Sequence, residues 1–383
     1  MELTKQQITK AFIAACMGMA FFGITMMAVG SVLPSLTEKL TLTATDQSWL
    51  ASTLTLGIFI GSIVFGPVCD HYGHRGIFLI SCFGVLAGLF GLSAANSFAA
   101  IVPCYILIGI GGGVLNGQTN TLASDLYDDL HRGSMMSLLG AFYGVGAILI
   151  TCLVALTKDM VKFETMLQII GGLVLLCTLF CCSVKFPEPK QAQSFPVKDA
   201  IRMLAQPVLL IMSLVLMLES TVESITNNLA TTFFTNNGIA NAVMLLTIMS
   251  VALMLARFLM SAIGNKISQQ VMLYGFLAIL LIGFILMAVA GKSFVIAAVA
   301  MSLVGIGTAA TYPVVLGMLG GKYKNLSGTA FGIAIAIALA GSTIFNKVVG
   351  NSLLDYLPQA MMVAVMCLVL LFTLGCKKLN DNK

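Results

Sequence analysis

Apolar runs of about twenty residues alternate with short polar stretches along the whole chain. A bilayer core of about 30 Å takes roughly 20 residues of helix, so runs of this length predict membrane spans rather than buried soluble helices. Six fall near 11–33, 49–69, 76–95, 98–122, 134–156 and 167–184, and six more near 207–233, 240–263, 271–290, 294–319, 327–349 and 359–375. A polar stretch from Lys185 to Arg202, carrying Pro187, Pro189 and Pro196, separates the two sets. The pattern predicts an all-α membrane protein of twelve transmembrane helices in two six-helix bundles. The expected organisation is an N-terminal bundle at 1–184, a cytoplasmic linker at 185–206 and a C-terminal bundle at 207–383.

The two sets repeat. Leu107-Ile-Gly109-Ile-Gly111 in the fourth span recurs as Leu303-Val-Gly305-Ile-Gly307 in the tenth, 196 residues later. At an offset of 195, Gly133 maps onto Gly328 and Gly146 onto Gly341. Two bundles related by duplication are the expectation, and parallel repeats of this kind place a substrate site at mid-membrane between them.

Composition agrees and narrows the classes. Only 9% of the 383 residues are Asp, Glu, Lys or Arg and 58% are hydrophobic, too little charge to cover a water-soluble globule. With both termini inside, fourteen basic residues fall in cytoplasmic segments and five on the opposite side, leaving Arg257 within a span. That excess predicts a multi-pass protein of the cytoplasmic (inner or plasma) membrane with both ends in the cytoplasm. The net charge of +5 is spread over short loops, so no nucleic-acid partner is implied. The first run is too long for a signal-peptide core and is expected to be retained. The ten cysteines are scattered without a C-x-x-C pair, and His71, His74 and His131 are expected in loops, so neither a metal site nor a cofactor nor an enzyme's catalytic cluster is expected.

Between the second and third spans stands Gly66-Pro-Val-Cys-Asp70-His-Tyr-Gly73-His-Arg75. Gly66 near a helix end would admit a neighbouring helix closely, and Gly73 permits a tight turn. The Asp70 carboxylate is expected to meet the start of the eleventh span at Ser327-Gly328, where a helix N-terminus favours negative charge. This G-x-x-x-D-x-x-G-x-R stretch resembles the loop between helices two and three of major facilitator transporters. The resemblance implies that Gly66, Asp70, Gly73 and Arg75 stabilise a conformation closed on the cytoplasmic side. The counterparts of Asp70 and Arg75 in the second copy are Asn265 and Gln270, so the charges survive only in the first half.

Polar residues inside spans are costly and mark function. In the fourth span Asn116 and Asn120 share a face at i and i+4; the glycines just before them read as helix packing rather than a phosphate loop, which needs a preceding strand. In the seventh span Glu219, Glu223 and Asn227 stand at i, i+4 and i+8, positioned for substrate hydrogen bonding, for carrying a proton, or for an ion pair with Arg257. Arg257 is alternatively expected to snorkel to the cytoplasmic surface. Tyr312-Pro313 interrupts the tenth span beside this polar face, as broken helices do at transporter binding sites.

Glu223 with Phe233, Ala256-Arg257-Phe258, Thr311-Tyr-Pro313, Ser327-Gly328, Ala340-Gly341, Gly350 and Leu354-Asp355 together resemble the second half of the fucose permease-type sugar transporters. The chain departs from that family in having no carboxylate in the first span and Asn116 where the fourth-span Glu would stand. Coupling is then expected at Glu219, Glu223 or Asp125, or to another ion. The expectation is a monomeric secondary transporter working by alternating access. Its cargo is a small polar solute, a monosaccharide, bound by Asn116, Asn120, Glu219, Glu223, Asn227 and Tyr312, with a coupling proton or sodium ion; the alternative is a proton-driven exporter of drugs or metabolites.

Overall fold

The computed structural model describes residues 3–157, 160–190, 197–239, 241–264 and 266–381. Among them every long element is a helix, and twelve helices are long and apolar enough to cross a membrane. Packing divides the chain into two compact units. Asn265, the counterpart of Asp70, and Pro196 lie outside the described residues.

The first unit comprises Met1–Leu126, Phe142–Val197 and Lys324–Gly332. It contains α1 (Lys5–Leu40), α2 (Ala44–Tyr72), α3 (His74–Ala94), α4 (Phe98–Leu126), the later part of α5 (Arg132–Thr157) and α6 (Phe163–Cys182). α1 outruns its apolar segment at both ends: Thr4 caps it through a capping box with Gln7, and it closes at Thr41 in the left-handed conformation. α4 lies against α1, α2 and α3. Lipid supplies no hydrophobic drive between helices, so close backbone approach has to hold them. A Cβ on Gly109 would stand 2.5 Å from the Leu54 carbonyl of α2, and one on Gly57 2.8 Å from the Ile106 carbonyl of α4.

The second unit comprises Tyr127–Ala141, Lys198–Tyr323 and Ile333–Lys383. After the short α7 (Val197–Leu204) come α8 (Pro207–Asn236), α9 (Val243–Ile263), α10 (Gln269–Val289), α11 (Phe294–Thr308), α12 (Thr311–Lys322), α13 (Ser327–Ser352) and α14 (Leu357–Asp381). The first turn of α13 belongs to the first unit and its remainder to the second. The repeat seen in sequence is a repeat of packing. Gly109 abuts α2 and its counterpart Gly305 abuts Met249 of α9; Gly111 abuts Ser81 and Val85 of α3 and its counterpart Gly307 abuts Leu280 of α10.

The tenth span is two helices. The break falls at Ala309–Ala310, three residues before the expected Tyr312-Pro313. Pro313 has no N–H to give and its ring blocks the carbonyl four residues earlier, that of Ala309, so the ladder fails upstream and restarts with Val314 donating to Ala310.

Candidate functional site

The α2–α3 turn is made by Gly73, at φ +79°, a conformation that favours glycine. It leaves Asp70 on the last turn of α2, 2% exposed. The Asp70 carboxylate accepts three hydrogen bonds: from the Gly328 amide at 3.1 Å, the Thr329 amide at 2.7 Å and the Thr329 hydroxyl at 2.7 Å. A carboxylate across the free amides of a helix start is matched in both charge and donors. Two glycines make the approach possible: a Cβ on Gly66 would sit 2.5 Å from the Gly328 carbonyl, and one on Gly328 2.9 Å from the Gly66 carbonyl. Arg75 is placed elsewhere. It is exposed and donates to the Cys182 carbonyl at 3.0 Å, closing the end of α6, where a cation suits the last carbonyls.

A second carboxylate serves the same turn of α13. Asp125, at the end of α4 with its side chain 7% exposed, accepts from Lys190 Nζ at 2.5 Å and Ser327 Oγ at 2.9 Å through one oxygen. The other oxygen accepts from His74 Nε2 at 3.0 Å. Lys190 also donates to Ser327 Oγ at 2.7 Å. His74 Nδ1 lies 3.3 Å from Cys69 Sγ, and Gln118 donates to the His74 carbonyl at 3.2 Å. His74 is therefore not a loop residue: it opens α3 and is 4% exposed, since the chain turns so tightly at Gly73 that the next side chain points back between α2 and α4.

Farther into α4, Asn116 and Asn120 are buried, at 8% and 3% exposure. The Asn120 amide donates to the Asn116 carbonyl at 2.7 Å and lies 3.5 Å from the Asn116 side-chain oxygen, so the two form one connected polar face.

In the second unit the row on α8 grades from inside to outside: Glu219 is 1% exposed, Glu223 half-buried and Asn227 exposed. Among the described residues neither Glu219 oxygen meets a donor in good hydrogen-bond geometry. Its electrostatic neighbours are Glu223, Arg257 and Ser220. Arg257 does not snorkel: it is 8% exposed on α9, donates through Nη1 to the Gly140 carbonyl at 3.0 Å, and leaves Nε without a partner. The neutral carbonyl of Gly140, not a carboxylate, holds the guanidinium, so the expected Glu219–Arg257 ion pair is not formed among the described residues. Tyr312, half-buried, opens α12, which packs on α8. Sequence reasoning missed a neighbouring polar node, in which Asn346 of α13 donates to Ser224 at 2.8 Å and accepts from Asn228 at 3.0 Å. Its signal was an amide one helical step from the Glu219 row.

The family profile described as Major Facilitator Superfamily matches residues 14–375. The chain belongs to that superfamily. With twelve helices long and apolar enough to cross a membrane among its described residues, it is a multi-pass membrane protein. Superfamily relatives include the D-xylose transporter of Levilactobacillus brevis, 23% identical over 133 residues, which are 35% of this chain and 29% of that protein. Another is Multidrug resistance protein 3 of Bacillus subtilis, 27% identical over 131 residues, 33% of this chain and 26% of that protein. The matched stretch thus spans less than a third of either relative. Among solved structures, that of the fucose:proton symporter FucP of E. coli superposes with a TM-score of 0.80 at 16% identity, covering 95% of this chain and 97% of the other. At that identity the likeness is one of fold, and it extends over nearly the whole superfamily chain.

Proposed function

We propose that this transporter is a secondary active carrier of a monosaccharide, driven by a proton and working by alternating access as a monomer in the cytoplasmic membrane, with both termini in the cytoplasm. The observation that carries the reading is the α8 row: two carboxyls and an amide on one face of a span, graded from buried to exposed, where charge is tolerated only for function. Asn116 and Asn120 in the first unit, with Glu219, Glu223, Asn227 and Tyr312 in the second, are the cargo-binding groups. Amides, a phenol and carboxyls suit a ligand rich in hydroxyls, because a site built to hydrogen-bond hydroxyls discriminates strongly against ligands that lack them. Gly66, Asp70, Gly73 and Arg75 form the cytoplasmic gate: Asp70 clamps the start of α13, Gly66 and Gly73 give it access, and Arg75 secures the neighbouring turn through α6.

The similarity to a D-xylose transporter and the shared fold of a fucose:proton symporter support the cargo class and the ion. The multidrug relative favours a second reading, export of amphiphiles. Uptake by proteoliposomes of D-xylose, L-fucose and hexoses, with and without pH and sodium gradients, separates them. Saturable, pH-driven sugar uptake is the expected outcome. Absence of sugar counterflow together with pH-driven efflux of a lipophilic cation would overturn the sugar reading in favour of the exporter.

A further inference from the structure

Cys69 stands on the last turn of α2, 2% exposed, one residue before Asp70. Its Sγ lies 3.3 Å from Nδ1 of His74, the first residue of α3, and the opposite ring nitrogen, Nε2, lies 3.0 Å from the carboxylate of Asp125 on α4. A thiol, an imidazole and a carboxylate in that order, each within hydrogen-bond reach of the next, are a nucleophile, its base and the group that orients the base. Three helices supply one member each.

The neighbours fix which ring nitrogen carries the proton. The Lys190 ammonium and the Ser327 hydroxyl both donate to Asp125, which keeps it a carboxylate that can only accept. Nε2 is then the donor to Asp125, and in the neutral ring the Nδ1 lone pair faces the thiol. The Gln118 amide nitrogen, 3.5 Å from Nδ1, is itself a donor and agrees with that assignment. Gln118 adds a second feature: it is 0% exposed, and among the described residues its side-chain oxygen meets no donor. The cluster therefore holds a base and a buried acceptor that the fold leaves unused. Cys104 is an ordinary thiol by comparison, donating to the Ala100 carbonyl of its own helix at 3.2 Å.

We propose that Cys69 is a site of reversible thiolation by low-molecular-weight disulfides, with His74 as its base and Asp125 as the positioning residue. In the step, His74 Nδ1 takes the thiol proton and the Cys69 sulfur attacks one sulfur of the disulfide. A new S–S bond forms as the old one breaks, and the departing thiolate takes the proton back from His74. The disulfide is the only oxidant the exchange needs. The assignment is independent of the cargo, and it puts a covalent modification on the turn that carries Asp70.

The full chain in lipid nanodiscs, treated with glutathione disulfide and mapped by mass spectrometry cysteine by cysteine, tests the proposal. Cys69 is expected to be thiolated at least about tenfold faster than the buried Cys16 and Cys82, and dithiothreitol is expected to remove the label. The pH profile separates a built-in base from mere access. Besides the pair itself, the titratable groups of the cluster are Asp70, Asp125 and Lys190. Between pH 6 and 8 the Cys69 rate is expected to change by less than about threefold, whereas a reference thiol at exposed Lys266, made as Lys266→Cys, changes roughly a hundredfold. His74→Gln is expected to make the Cys69 profile as steep as that of the reference. Labelling of the reference without Cys69, a Cys69 rate that rises in parallel with the reference, or a profile unchanged by His74→Gln overturns the proposal. If His74→Gln is not recovered folded, the profile of the unaltered Cys69 against Lys266→Cys decides it.

Discussion

Glu219→Gln is the perturbation that reaches furthest into the mechanism, because an amide matches a protonated carboxyl in shape and differs in being unable to release a proton. Glu219 is 1% exposed and, among the described residues, neither oxygen meets a donor in good hydrogen-bond geometry, so the substitution gives up little hydrogen bonding, and the stability of the folded chain is expected to change by less than about 1 kcal/mol. The functional effect is much larger. On the proposed reading one such carboxyl would carry one proton per cargo molecule, and one charge crossing about 100 mV releases about 2.3 kcal/mol. At about 1.4 kcal/mol per decade, that supports roughly fortyfold accumulation. In proteoliposomes under a potassium diffusion potential of that size, the unaltered chain is expected to approach this ratio for its sugar. Glu219→Gln is expected to stop at equal concentrations while still exchanging labelled for unlabelled sugar. Undiminished accumulation by the variant would refute the assignment. Loss of exchange along with accumulation would refute the proton-carrying role and leave Glu219 with its cargo-binding role alone.

Asp70→Asn removes the charge and at least one of three bonds to the α13 turn, a loss of about 3 kcal/mol; the variant is expected to reach the membrane folded, with initial transport rates down at least about tenfold. Gly73→Ala forces a side chain into φ +79° with Pro189 atoms 3.4 Å away, at a cost of about 1–3 kcal/mol. Its melting temperature in detergent is expected to fall well below that of Gly76→Ala, whose new methyl meets nothing within 4 Å. Gly109→Ala and Gly305→Ala press a methyl against the Leu54 and Met249 carbonyls respectively. Each is expected to destabilise by about 1–3 kcal/mol, seen as a lower melting temperature, while Gly275→Ala, open within 4 Å, is expected to be neutral.

The spans could be read from the sequence because a helix in lipid has to satisfy its own backbone and be apolar over its whole length, and both demands are local. The Asp70 contact was equally readable: a Gly–Asp–Gly turn needs a partner rich in free amides, and a helix start supplies one. What could not be read depends on where chain paths meet. Lys190 lies in a polar stretch with no periodicity, and nothing local says that its ammonium ends on Asp125, 65 residues earlier. His74 looked like a loop residue because only the backbone conformation at Gly73 turns it inward. Pro313 announced a broken span, yet the break appears at Ala309–Ala310, since a proline disturbs the carbonyl a turn before it. Arg257 looked able to reach the surface; the Gly140 carbonyl holds it inside instead.

The contacts of the α13 turn also impose an order on biosynthesis. Asp70 and Asp125 find their α13 partners 258 and 202 residues later in the chain. At about 5–20 residues per second, Asp125 leaves the ribosome roughly 10–40 s before Ser327 does. For the first 65 residues of that interval even Lys190 is still to be made; from then until residue 327 the first unit lacks the turn that completes it, and its two aspartates have only Lys190, His74 and water to answer them. A nascent chain stalled before residue 324 would therefore expose an acidic notch, and its disappearance would mark the moment at which the first unit closes during synthesis.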